Sequence, residues 1–565
     1  MPSIRCLPGV VFVAAAVGFL APFAAAADRV EAQRGMVVSV SPPGSDVGAE
    51  ILKQGGNAVD AAVATAFALA VTHPAAGNIG GGGFMMIYPG GGKEPVCIEY
   101  RETAPAAATR TMFSPDGSSF GHKIVGVPGT VRGMALAHQK FGKLPWKQLV
   151  LPAVRLAGQG FAVDAPLAKD VNKILSDKAT QPFAEMRRVF AAPQAAGEWK
   201  PGDTLTQPDL AATLQLIADD GPDAFYSGKI ADQLVSEMQS GGGLITKADL
   251  AGYQARARTP VRGTYRGYDI FGPPPPSSGG TCLIEMLNML EPFELRQRGR
   301  WSAETLHLML EAMKRAYCDR ARHLGDPGFT QIPSHLTTKE YARSLAKGID
   351  LQRATPSEKL APEIELAAEG ESTTHFSVVD GSGMAVANTY TLENSYGSRV
   401  VVRGAGFLLN NEMGDFNWRP GHTDRKGKIG TPANQIEPGK RMLSSQTPVI
   451  VARDGRAVLV TGSPGGRTII NTLLCVVLNV LEFEMDLHEA VEAPRLHHQW
   501  LPDQARFEGL KQPQYAKAFD LLRSMGHSID TASPRQGDAH SIWIDPSGKL
   551  HGVADKRING KAAGW

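Results

Sequence analysis

Apolar and polar positions follow two different periods along this chain, and the change of period divides it. Residues 57–72 (NAVDAAVATAFALAVT) are apolar on nearly every face, the pattern of a fully buried helix. That helix should stop at His73, because a residue before proline is pushed out of the α region. A glycine run from Gly77 to Gly83 follows, and then a strand-like stretch, residues 84–88. Helix, glycines, strand is the wrong order for a dinucleotide-binding loop, which opens a helix after a strand. Residues 206–209 (TQPD) have capping-box spacing with Pro208 in the first turn, and predict a helix through about Ala218. Residues 305–324 read as another long amphipathic helix.

After about Ser372 the period becomes two. Residues 374–380 and 384–392 are rich in β-branched side chains and are separated by Asp380-Gly-Ser-Gly383, a hairpin signal. Further strands are predicted at residues 406–409, 448–452 and 457–461, and a helix at 468–481. Helices first and strands beside helices afterwards point to a layered α+β or α/β body. No low-complexity linker or fixed-period repeat divides it.

The hairpin suggests chemistry. A two-residue loop would set Thr373 against Tyr390, with the Thr391 hydroxyl one step away. Threonine is a weak nucleophile unless a base stands beside it. A freed α-amine on the same residue can be that base, with a typical pKa of about 7.7–8.0. On hairpin geometry alone, ordinary strand threonines chosen for β-branching are the favoured reading.

Composition changes the picture little. The 565 residues are 43% hydrophobic and 20% charged, with a net charge of +2 and no long basic run, which removes nucleic acid as a partner. The N-terminus is more telling. Arg5 precedes an apolar stretch, residues 10–23, and four alanines end at Ala27, the layout of a secretory signal peptide. The mature body would begin at Asp28, carry no stable membrane anchor, and be periplasmic or secreted. Cys6 would leave with the signal. Cys97, Cys282, Cys318 and Cys475 lack metal-site spacing, and Cys282 and Cys475 fall in apolar helical patterns as buried thiols. His497 and His498 are adjacent, so they cannot form a helical i, i+4 zinc pair. No metal and no cofactor is expected.

Residues 373–379 (TTHFSVV) and 389–397 (TYTLENSYG) resemble the processing-site signature of the γ-glutamyltransferase family. The resemblance continues through 408–416 (LLNNEMGDF), 441–445 (RMLSS), 461–466 (TGSPGG) and 494–500 (PRLHHQW). Upstream it includes 55–60 (GGNAVD), 100–105 (YRETAP) and 127–130 (VPGT). It implies an α+β fold, a four-layer αββα sandwich of the N-terminal-nucleophile hydrolase class. It further implies a precursor cut between Ser372 and Thr373 into a large subunit, 28–372, and a small subunit, 373–565, interlocked in one body.

Carried over residue by residue, Thr373 would be the nucleophile, Thr391 would orient it, and Gly465 and Gly466 would present backbone N–H groups to the oxyanion. Arg101, with Ser444 and Ser445, would hold the donor's α-carboxylate. Asp415 would hold the α-ammonium, with Glu393 and Glu412 nearby. The implied partners are glutathione or another γ-glutamyl donor, and water, an amino acid or a dipeptide as acceptor. Two features depart from parts of the family. Glu393 stands where some members have Asn, and within the stretch between Asp415 and Ser444, which forms a lid in some relatives, residues 423–431 contain no aromatic. The rival readings are a glutaryl β-lactam acylase of the same superfamily and a non-catalytic exported binding protein.

Overall fold

The computed structural model describes residues 29–113, 117–194, 197–361, 373–423, 430–532 and 534–565. The signal-peptide segment, Ser372 and most of the 423–431 stretch lie outside the described residues.

Two seven-stranded sheets, antiparallel at each strand pairing among the described residues, stack face to face. The first runs in the order Lys561–Gly564, Gly35–Ser39, Thr374–Asp380, Ala385–Thr391, Gly82–Tyr88, Val96–Glu99 and Arg256–Arg258. The second runs Arg29–Ala32, Leu550–Val553, Ser541–Ile544, Arg456–Thr461, Val449–Arg453, Tyr268–Gly272 and Val261–Tyr265. Each sheet mixes strands from before and after Thr373, so a cut ahead of Thr373 would leave both pieces held by shared ladders.

Three cores follow from side-chain alternation. Met36, Val38, Phe84, Met86, Val379 and Ile450 fill the space between the sheets. Phe376, Val378, Val386 and Tyr390 point the other way, onto the Ala58–Thr72, Trp146–Gln159 and Pro208–Asp220 helices. The second sheet packs its outer face on Gly279–Leu290, Ala303–His323 and Thr468–Leu481. The result is the αββα order. Cys97, Cys282, Cys318 and Cys475 are all buried. Among the described residues no helix is long and apolar enough to cross a membrane.

The Ala58–Thr72 helix matches its sequence pattern, with all fifteen residues buried, and Asn57 and Asp60 form its capping box. Three expectations need correction. Thr206 does not cap the Pro208–Asp220 helix; Gln207 takes the N-cap position, and its side chain is turned away to Val71 O at 2.9 Å. The Ala303–His323 helix is buried on nearly all sides rather than amphipathic, because polar residues such as Glu311 and Arg315 pair with one another inside. Residues 406–409 form only isolated bridges, since Gly406 at φ 74° turns the chain out of a ladder.

Candidate active site

The hairpin that carries Thr373 closes with a three-residue loop rather than two. Asp380 N–H donates to Met384 O at 3.0 Å and Gly383 N–H to Asp380 O at 3.1 Å, with Gly383 at φ 84°. Asp380 Oδ1 accepts from Ser382 N and Met384 N, while Oδ2 accepts from Ala58 N at the start of the buried helix. Thr374 therefore pairs with Tyr390, and one step further Thr373 comes opposite Thr391. The one-residue correction decides the site, because side chains alternate between faces. Tyr390 belongs to the helix layer, whereas Thr373 and Thr391 share the face between the sheets.

Neighbouring residues on that face form a buried polar chain. His375 Nδ1 meets Thr389 Oγ1 at 2.8 Å, its Nε2 meets Ser377 Oγ at 3.0 Å, and Ser377 Oγ donates to His540 O. Gly462 leaves room for the imidazole, since a Cβ there would lie 2.2 Å from the ring. Thr374, next in sequence, is 1% exposed and its hydroxyl is buried without a hydrogen-bond partner, so it has no access to substrate. Thr373 is half-buried and lines two cavities, a narrow recess of about 30 Å³ and a cleft of about 640 Å³.

The recess gathers most of the sequence candidates. Thr391, Glu393, Glu412, Asp415, Ser444, Ser445 and Gly466 wall it together with Thr373. Thr391 Oγ1 accepts the Glu393 N–H at 2.8 Å, and Glu393 sits at φ 80° in a turn that aims its carboxylate at the recess. Asn411 Nδ2 donates to Glu393 Oε2, and Asn410 clasps Gly80 O and Gly126 O. Asn434 binds Asp415 O at 2.6 Å through Nδ2 and takes the Leu443 N–H on Oδ1, so one side chain fixes Asp415 and the serine loop together. Ser444 O accepts both N–H and Oγ–H of Ser278. Gly465 (φ 126°) lines the cleft rather than the recess; with Gly466 (φ 54°) it opens the Thr468–Leu481 helix, whose N-terminal N–H groups carry partial positive charge.

Arg101 stands behind this wall rather than in it. It is 1% exposed; Nη1 lies 2.6 Å from Glu412 Oε2 in ion-pair contact without an aligned hydrogen bond, and Nη2 binds Asp415 Oδ2. Glu102 Oε2 is 3.5 Å from the same guanidinium. Sequence reasoning missed a second guanidinium. Arg320, on the Ala303–His323 helix, lines the recess and donates from Nη2 to Ser445 Oγ at 3.0 Å and from Nε to Ser278 Oγ at 2.9 Å. Arg467 and Gln446 also line it. No local signal marks Arg320, because its helix reads as amphipathic and an arginine on such a helix reads as solvent-facing.

Burial is the largest perturbation of these acids. Burial pushes the Glu102 carboxyl up to about 7, with Arg101 opposing. Burial, then the neighbouring Glu102, Asp415 and Glu393, push Glu412 well above the usual range, again against Arg101. A carboxyl raised in the folded state stabilises the fold fully below its unfolded value of about 4.3. That contribution is lost as pH rises through about 7. The ligand-free protein is thus expected to melt at lower temperature at pH 8 than at pH 5.5. Glu102→Gln should flatten that slope in a melting series, and an equal slope in wild type and variant would refute the assignment.

Only one group among the described residues has metal-ligand proximity: His307, Glu311 and His527. Glu311 already pairs with Arg315 at 2.6 Å and Lys314 at 3.5 Å, and His307 Nδ1 meets His527 Nε2 directly at 2.7 Å. Two cations beside the carboxylate oppose a divalent ion, and the cluster reads as a hydrogen-bonded core network. His497 and His498 are likewise buried, bonded to Asn471 and Asp503.

A four-layer αββα sandwich with a threonine opening a central strand is the architecture of the N-terminal-nucleophile hydrolases. A cephalosporin acylase from Bacillus halodurans shares it, with a TM-score of 0.83 at 28% identity over 98% of this chain and 99% of that one. The family model described as Gamma-glutamyltranspeptidase matches residues 44–565, and the chain belongs to that family of enzymes. It is 46% identical to the glutathione hydrolase proenzyme of Escherichia coli, over 95% of this chain and 93% of that protein. It is 37% identical to the acylase ACY 1 proenzyme of a Pseudomonas strain, over 93% of each.

Proposed function

We propose that the protein is exported, cuts itself between Ser372 and Thr373, and then hydrolyses or transfers γ-glutamyl groups from glutathione and related donors. The observation that carries this reading is the position of Thr373. It stands opposite Thr391, between an acid-walled recess and the glycines that open a helix. Attack of Thr373 Oγ on the preceding carbonyl would form an ester and break the C–N bond, freeing the α-amine that serves as base, and water would then hydrolyse the ester to release the upstream chain as a carboxylate and restore the hydroxyl. Thr373 Oγ next attacks the donor's γ-carbonyl carbon; the C–N bond breaks and a γ-glutamyl ester forms. Thr391 orients the hydroxyl, and the N–H groups of Gly465 and Gly466 take the developing oxyanion.

The donor's α-amino acid head suits a recess built on an ion pair. An entering zwitterion can divide Arg101 from Asp415, its carboxylate going to Arg101 with Ser444 and Ser445, and its ammonium to Asp415, Glu393 and Glu412. Charge stays balanced on both sides of the exchange. The likeness to acylases supports a second reading, cleavage of a glutaryl amide. A glutaryl group has no ammonium, so its carboxylate would draw Arg101 away from Asp415 with no cation supplied to Asp415, Glu393 and Glu412 in return. A release assay separates the two: a γ-glutamyl anilide should turn over at least about a hundredfold faster than a glutaryl anilide. Preference for the glutaryl compound would overturn the γ-glutamyl reading.

A further inference from the structure

Ser444 and Ser445 wall the recess, and the direction of the hydrogen bonds at each can be assigned. A serine hydroxyl gives one hydrogen and accepts on two lone pairs. Ser444 Oγ accepts the Gln446 N–H at 3.1 Å, and Ser445 Oγ accepts from Arg320 Nη2 at 3.0 Å. A backbone N–H and a guanidinium can only donate, so neither contact consumes a serine hydrogen. No described residue accepts the hydrogen of either hydroxyl. Both hydrogens are left for a group in the recess, and that group must be an acceptor.

Arg320 sets this polarity for both serines at once. It is 6% exposed and sits in the last turn of the Ala303–His323 helix, where the helix C-terminus favours a cation. Its Nε donates to Ser278 Oγ at 2.9 Å, and Ser278 passes its own hydrogen to Ser444 O at 2.7 Å. The Ser278 N–H reaches the same carbonyl at 2.8 Å, and the Ser444 N–H donates to Pro276 O at 2.9 Å. These bonds flank a parallel bridge between Ser277 and Ser444 that clamps the serine loop. One edge of the guanidinium, Nε and Nη2, thus holds Ser445 directly and Ser444 through Ser278. An ammonium lacks this planar, two-donor edge.

We infer that Arg320 is a positioning residue: by donating to Ser445 Oγ and bracing Ser444 through Ser278, it makes both hydroxyls present their hydrogens to the donor's α-carboxylate. The inference rests on the γ-glutamyl reading above. Arg320 acts through the serines, which distinguishes it from Arg101, the cation that meets the carboxylate itself. Without Arg320, Ser445 Oγ can rotate and turn a lone pair toward the carboxylate, which repels it.

The test pairs γ-glutamyl p-nitroanilide with its α-carboxamide, which keeps the ammonium and the scissile bond but loses the negative charge. Wild-type enzyme should favour the carboxylate in kcat/KM. Arg320→Ala should raise KM for the carboxylate donor about tenfold, keep kcat within about twofold, and shrink the preference by about the tenfold factor. Ser278→Ala, which keeps the guanidinium, should shift the preference in the same direction by about threefold. In a Ser445→Ala background, loss of Arg320 should cost less than it does alone, because the shared route is already gone. Fully additive losses would mean that Arg320 touches the donor directly, and would overturn the positioning role. Equal losses on both donors, or a lowered kcat at unchanged KM, would make Arg320 a fold residue only and overturn the inference. If Arg320→Ala gives no processed enzyme, Ser278→Ala decides, and an unchanged preference in that variant is a refutation. Wild-type enzyme inert toward γ-glutamyl p-nitroanilide would instead overturn the γ-glutamyl reading itself.

Discussion

Thr373→Ala should accumulate as a single uncut chain and lose turnover of γ-glutamyl donors by about 10⁴-fold or more, because one hydroxyl is asked to perform both reactions. The register makes the expectation specific. Thr373 and Thr391 share the face between the sheets, while Thr374 is buried on the helix side with its hydroxyl sealed off. Thr374 therefore cannot substitute for its neighbour. Thr373→Ser keeps the oxygen and the α-amine and should still be cut, although more slowly, since the β-methyl no longer restricts the rotamer. A denaturing gel with N-terminal sequencing of the smaller band reads both variants. Two bands from Thr373→Ala, or a small chain that begins elsewhere, would place the nucleophile at another residue.

Arg101→Ala should be nearly as damaging, for a reason that sequence comparison does not suggest. As a simple carboxylate anchor, Arg101 would cost binding and little else when removed. In the fold it is a fully buried counter-ion to Glu412, Asp415 and Glu102. Breaking a buried pair from one side leaves uncompensated charge and costs about 3–5 kcal/mol. The variant should therefore lose stability of that order in denaturant unfolding as well as raising KM for glutathione. The remaining acids would respond by holding protons to higher pH. Arg101→Lys should rescue less than its charge implies, because an ammonium cannot reach Glu412, Asp415 and two backbone carbonyls in one plane. An unfolding midpoint unchanged in Arg101→Ala would show that the guanidinium is not the counter-ion of this cluster.

The sequence by itself determined which segments are buried and which residues could do chemistry. The 57–72 helix, the 468–481 helix and the hairpin strands were legible because burial imposes a period that side-chain types must follow. Thr373, Thr391, Glu393, Glu412, Asp415, Ser444, Ser445 and the two glycines were legible as a set through resemblance, and the fold brings them to one place. Three matters were decided only in three dimensions. One extra loop residue, permitted by Gly383 at positive φ, moved Thr373 from Tyr390 to Thr391, and no propensity distinguishes those registers. Arg320 reached the serine loop from a helix whose pattern reads as amphipathic, and a buried arginine is readable as a site residue only once its partners are known. Arg101 became a buried counter-ion because Glu102, Glu412 and Asp415, up to 314 positions apart along the chain, converge on it. Charge balance inside a protein depends on distance and solvent exclusion, and neither quantity is written along the chain.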